Sequence, residues 1–355
     1  MPPLPPLLPA LAPNRIQLRT VLVATLAGAG LHLLHVPLAW MIGAMLGTAA
    51  LAWHLPVAVP GWLRPAGLVF LGLALGSTFS GPVLAAVTGA LPVLLLGGLV
   101  AIGSGLVVAR LFTRLAGTDR QTGFFCAVPG GIVVMAVLAQ EAGASVATVT
   151  LAQTLRVLVV VLTFPPLLGW LAPHGSFGAF GAMQEAFWLP GLAAMAAGGL
   201  LVAWPLQRLG LANPWMLGPC GFAIALAASG TLPSGVPVAL VDAAQVAMGA
   251  TLGTRLTRSF LLASHRLVLA STISAAVLSV LLSLIAVPVA LATGLPVAAL
   301  ILGLAPGGMP EMALTAKALE LAVPLVLGFH LTRTVLCNLL VGPIHRLGLR
   351  FGLLG

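Results

Sequence analysis

One segment of this chain returns in altered form. The segment CAVPGGIVVM at 126–135 returns as GLAPGGMPEM at 303–312, with Pro129-Gly130-Gly131 on Pro306-Gly307-Gly308 at an offset of 177 (306 − 129). The same offset carries Gln153 to His330, Arg156 to Arg333, Pro166 to Pro343, and Gly72 and Gly76 to Gly249 and Gly253. Nearer the start of each half the offset is 175, which carries Trp40-Met41-Ile42-Gly43 to Trp215-Met216-Leu217-Gly218. Agreement at so many uncommon positions reads as an internal duplication. It limits the fold to two related halves, here 15–171 and 188–350, after a Pro-rich stretch at 1–14 and joined by a linker at 172–187.

Each half is almost wholly apolar. The runs lie near 20–36, 37–53, 65–79, 88–109 and 145–170, and then near 188–207, 211–230, 240–254, 268–290 and 322–342. Charged residues make up 6% of the chain, against about 25% in a soluble domain. That is too few to solvate the surface of a globule, so the apolar surface must face lipid. A crossing takes about 20 apolar residues, and backbone groups in hydrocarbon must be paired internally, so the spans are predicted to be helices. The expectation is an all-α polytopic membrane protein of about ten transmembrane helices. Cys126, Cys220 and Cys337 are scattered and odd in number, with neither a disulfide framework nor metal-ligand spacing.

The arginines orient the halves. Arg64, Arg110, Arg114 and Arg120 fall on Val241, Val287, Leu291 and Val297, whereas Arg255, Arg258 and Arg266 fall on Thr78, Gly81 and Gly89. Equivalent loops therefore belong on opposite sides of the membrane, if cytoplasmic loops carry the positive charge. That predicts inverted repeats, each of five spans and one re-entrant Pro-Gly-Gly hairpin, with both termini cytoplasmic. Membrane anchoring accounts for the net charge of +9, and nucleic acid is not expected as a partner.

The candidate site follows from what lipid does not tolerate. Pro129, Gly130 and Gly131, like Pro306, Gly307 and Gly308, interrupt helix and free backbone groups. At membrane depth such breaks need protein or a wet cavity around them, and paired breaks point to a transport site. A kink or a surface loop is the plainer reading of each. Arg156 and Arg333 sit in mid-run, where a charge costs about 2.5–3.5 kcal/mol. Gln153 and His330 stand three residues earlier on the same face. These pairs would hold an anionic ligand, or donate to carbonyls freed by the breaks. Glu311 has Val134 as its counterpart, an asymmetry that proton coupling could use; its alternative role is a salt bridge to Arg333 or Lys317. The Gly72/Gly76 and Gly249/Gly253 pairs read as close helix contacts.

Asp119-Arg120 before the first break, PGG followed by an acid and Met, and the later Gln/His-x-x-Arg resemble the AbrB family of bacterial membrane proteins over about residues 15–350. The family pattern PGG-x-x-E-M stands at 306–312, whereas Val134 replaces the acid in the first copy. The resemblance implies a multi-pass protein of the bacterial inner membrane, described in that family as a transporter, a regulator of gene expression or an ammonia monooxygenase. The leading expectation is a secondary transporter of a small, anionic solute by alternating access, with Glu311 or His330 carrying a coupling proton. It has no catalytic residues, cofactor or metal, its partners are the solute and the bilayer, and homo-oligomerisation is left open. An oxygenase would need clustered ligands, and only His32 and His35 lie close together. A regulator would act indirectly.

Overall fold

The computed structural model describes residues 14–171, 186–211, 213–258, 262 and 265–352. The tail at 1–13 and the linker at 172–185 lie outside the described residues. The described residues form fifteen helices. In the first half these are α1 (Arg15–Leu33), α2 (Ala39–His54), α3 (Leu63–Gly76), α4 (Gly81–Gly89), α5 (Leu91–Ala116), α6 (Arg120–Ala127), α7 (Ile132–Glu141) and α8 (Val146–Leu171). The second half contains α9 (Leu189–Arg208), α10 (Pro214–Ala228), α11 (Val238–Gly253), α12 (His265–Thr293), α13 (Val297–Leu304), α14 (Met309–Ala318) and α15 (Val323–Arg350). No strand occurs among the described residues.

Six of these helices, α1, α5, α8, α9, α12 and α15, are long and apolar enough to cross a bilayer. The apolar runs of α10 and α11 give shorter helices of 15 and 16 residues. At 1.5 Å per residue these reach roughly 22–24 Å, short of a 30 Å hydrocarbon core. The run at 65–79 ends at a break, after which α4 leaves α3 at 90°. Leu18, Leu22, Leu26, Leu201, Leu284 and Leu339 are exposed on the long helices. Such outward leucines are costly in water and natural in lipid, which makes this a helical membrane protein.

Local chemistry sets the helix ends. Asn14 and Gln17 form a reciprocal capping box at the start of α1. Gly117, at φ 67°, closes α5 in the left-handed conformation that glycine adopts without a side-chain clash. Two such turns recur at the internal offset. Leu38 (φ 53°) and Asn213 (φ 54°) precede α2 and α10, while Gly143 (φ 73°) and Glu320 (φ 52°) follow α7 and α14.

Packing recurs in the same way. A methyl placed on Gly72 or Gly76 would meet the carbonyl oxygens of Met216 and Cys220; on Gly249 or Gly253 it would meet those of Met41 and Met45. These contacts run in register, so α3 lies parallel to α10 and α11 parallel to α2. Glycine there removes the side chain that would hold the backbones apart. Gly72→Ala and Gly249→Ala are each expected to destabilise by about 1–3 kcal/mol through overpacking. Gly221→Ala, with nothing within 4 Å of the new methyl, is expected to be neutral or slightly stabilising. Thermal unfolding in detergent reads the difference. Equal midpoints for all three variants would contradict the close-contact role.

Candidate functional site: two broken helices around a cationic cavity

The chain breaks at the same place in each half. Helix α6 ends at Ala127, Gly131 is extended (φ −70°, ψ 141°), and α7 begins at Ile132. Likewise α13 ends at Leu304, Gly308 is extended (φ −77°, ψ 149°), and α14 begins at Met309. The carbonyls released by these breaks are buried and need donors.

Those donors are Gln153 and Arg156 in the first half and His330 and Arg333 in the second. Gln153 Nε2 donates to the carbonyls of Phe125 (2.7 Å) and Val128 (3.0 Å). Arg156 donates through Nη1 to Val128 (3.2 Å) and through Nη2 to Gly130 (3.1 Å). In the second half His330 Nε2 bonds the carbonyl of Leu302 at 3.0 Å. Arg333 donates through Nη1 to Ala305 and Nη2 to Gly307, both at 2.7 Å. Acceptors 125, 128 and 130 become 302, 305 and 307, the same offset of 177 as the donors. The carbonyl-donating alternative for the arginines is therefore what the structure contains. It does not exhaust them, because carbonyl dipoles leave each guanidinium charge unneutralised. Arg156 Nε and Gln153 Oε1 are buried without a hydrogen-bond partner.

The histidine is fully committed. Arg333 Nη2 lies 2.9 Å from His330 Nδ1. A guanidinium only donates and a carbonyl only accepts, so the network assigns the proton to Nε2 and leaves Nδ1 as acceptor. A second proton on Nδ1 would face Arg333 N–H directly.

The two breaks and both arginines line one cavity of about 160 Å³. Arg64, Arg255 and Glu311 line it as well. Among the described residues, four guanidinium groups thus surround the cavity with one carboxylate. Glu311 is buried and its carboxylate lies back against Gly308. The salt bridge to Arg333 or Lys317 is not formed: Arg333 is spent on Ala305, Gly307 and His330. Helices α7 and α14 both start at this cavity with no side-chain cap. Their free N–H groups add positive potential. In α14 the first turn holds its own acid, Glu311; the first turn of α7 has none. Arg64 and Arg255 escaped the site reading because the charge asymmetry of the halves, and for Arg255 membrane anchoring as well, already accounted for them. The hint was that neither has a basic counterpart in the other half.

Asp119 caps the first broken arm. Its carboxylate accepts from the Thr122 backbone N–H at 2.7 Å. Burial pushes this carboxyl up, but the hydrogen bonds from the Thr122 side chain and from backbone N–H groups outweigh it and hold it below the usual carboxylate range. A depressed folded pKa stabilises above the unfolded value of about 3.9 and is lost as pH falls through the folded one. Asp119→Ala is expected to cost about 1 kcal/mol at neutral pH. The deficit relative to wild type should shrink below roughly pH 4. A pH series of unfolding midpoints checks it, and a deficit independent of pH would contradict the carboxylate cap.

A membrane-type helical bundle whose polar centre is two broken helices, each closed by an arginine, defines the class of this protein. The chain belongs to the AbrB family. That family's sequence model, described as "Transition state regulatory protein AbrB", matches residues 40–348. The chain is similar to a protein of Bacillus subtilis (strain 168) named "Uncharacterized protein YhjN". The two are 30% identical over 343 residues, covering 86% of this chain and 87% of that one. It is also similar to a protein of Escherichia coli (strain K12) named "Putative regulator AbrB", at 30% identity over 161 residues, covering 44% of this chain and 46% of that one. Among the described residues no group of three or more His, Cys, Asp or Glu is placed to hold a metal ion.

Proposed function

We propose that this protein is a secondary transporter that carries a small anion across the membrane by alternating access. The observation that carries the reading is the cavity, where both Pro-Gly-Gly breaks, four arginines and one buried acid converge. A volume of about 160 Å³ matches roughly five water-sized groups, the size of a short organic anion. The N-terminus of α7 is the natural seat, since it lacks an acid of its own and Arg156 offers an unpaired N–H beside it.

Inversion of the halves is supported by the glycine contacts. Helices α2 and α3, read as consecutive crossings, run in opposite directions. Because α10 lies parallel to α3, it would run opposite to α2, its own counterpart. The same reasoning sets α11 against α3. Two halves of opposite orientation give the two hairpins access from opposite faces, the arrangement on which rocking about a fixed midplane site depends. In this reading Glu311 carries the coupling proton, because both nitrogens of His330 are occupied.

The test is flux in proteoliposomes across a panel of small carboxylates and inorganic anions. Saturable uptake of at least one anion, competed by its congeners, is expected. No flux and no binding across the panel would overturn the proposal. The names of the family and of the E. coli relative favour a second reading, a role in gene regulation. Such an effect would run through the transported solute, and it would disappear in a variant that folds but does not transport.

A further inference from the structure

A second cavity, of about 650 Å³, lies beside the first turns of α6, and none of the Pro-Gly-Gly residues lines it. Its polar side is Arg110 and Arg114, one turn apart near the end of α5, with Thr113 between them and Arg120 at the start of α6. Its other wall is apolar, formed by Leu106, Leu347 and Phe351. Among the described residues no acid lines it. Leu347 and Phe351 are themselves exposed at the end of α15, so the apolar wall continues into exposed apolar surface. The second half has no such cationic group, because Arg110 and Arg114 correspond to Val287 and Leu291.

We propose that this cavity is a binding site for the headgroup and upper acyl chain of an anionic phospholipid. Charge complementarity selects the phosphate. Arginine is suited to it by its planar array of donors. The position selects a lipid over a free anion: the arginines sit at the end of a long apolar helix, the depth of a headgroup, and the apolar wall offers an acyl chain the contact that a soluble phosphate lacks. Basic pockets between transmembrane helices hold anionic headgroups by this combination.

The experiment is native mass spectrometry of the full chain released from detergent containing equal phosphatidylglycerol and phosphatidylcholine. Retention of phosphatidylglycerol over phosphatidylcholine is expected. Arg110→Ala combined with Arg114→Ala should lower that preference about 30-fold, the factor carried by two cations near an anionic surface. The paired Arg110→Lys, Arg114→Lys protein keeps the charge and should retain most of the preference, which separates lost binding from lost folding. Equal retention of the two lipids would overturn the site. So would an unchanged preference in the alanine protein, or displacement of the lipid by millimolar inorganic phosphate, which would assign the cavity to a soluble anion.

Discussion

Arg333→Met is expected to abolish transport and to lower stability by about 1–6 kcal/mol. The range follows from two opposed effects. The variant loses three hydrogen bonds from a charged donor, to Ala305, Gly307 and His330, each contributing about 1.5–3 kcal/mol. It also avoids burying a charge, which at membrane depth saves about 2.5–3.5 kcal/mol. Arg156→Met should be milder, because Arg156 makes two longer bonds and Gln153 still covers Phe125 and Val128. Arg333→Lys keeps the charge but cannot span two carbonyls with one ammonium, so it should recover little of the loss. Thermal unfolding and flux, measured on the same preparations, test the order. A milder loss for Arg333→Met than for Arg156→Met would contradict the hydrogen-bond account.

The second large effect concerns coupling. Glu311→Gln keeps the shape of a buried side chain and removes its titration. If Glu311 carries the proton, accumulation driven by a pH gradient should fall at least tenfold, on the scale of a driving force worth 1.4 kcal/mol or more. Counterflow of labelled against unlabelled solute at uniform pH should persist, since it needs no net proton movement. His330→Gln recreates the pairing that Gln153 makes in the first half, and should fold and keep the coupled pH profile. Coupling lost with His330→Gln and kept with Glu311→Gln would transfer the role to the histidine.

Much of this was legible in the chain before any coordinates. Lipid solvation leaves little choice of secondary structure, so the scarcity of charge was enough to expect helices. The duplicated offset was also informative at atomic detail: donors at 153, 156, 330 and 333 bond acceptors displaced by the same 177 residues. What escaped depends on distance across the fold. Arg64 and Arg255 read as loop charges that orient the halves, and only the packing of the fold brings them to the cavity. The 90° break between α3 and α4 falls where the apolar run at 65–79 ends, and the end of a run reads equally well as a loop or a bend. Whether an arginine meets a carbonyl or a ligand is likewise a matter of geometry, and sequence spacing is compatible with both.

The central claim is that the two halves face opposite ways about one shared cavity. Single cysteines at Thr118 and Leu295, in a protein whose buried Cys126, Cys220 and Cys337 are changed to alanine, test it most directly. These positions precede the two broken arms in matching loops. Labelling of intact and opened cells with a membrane-impermeant thiol reagent should mark Thr118→Cys from the cytoplasmic side and Leu295→Cys from the outer side. Labelling of both from one side would make the halves parallel and remove the structural basis for alternating access.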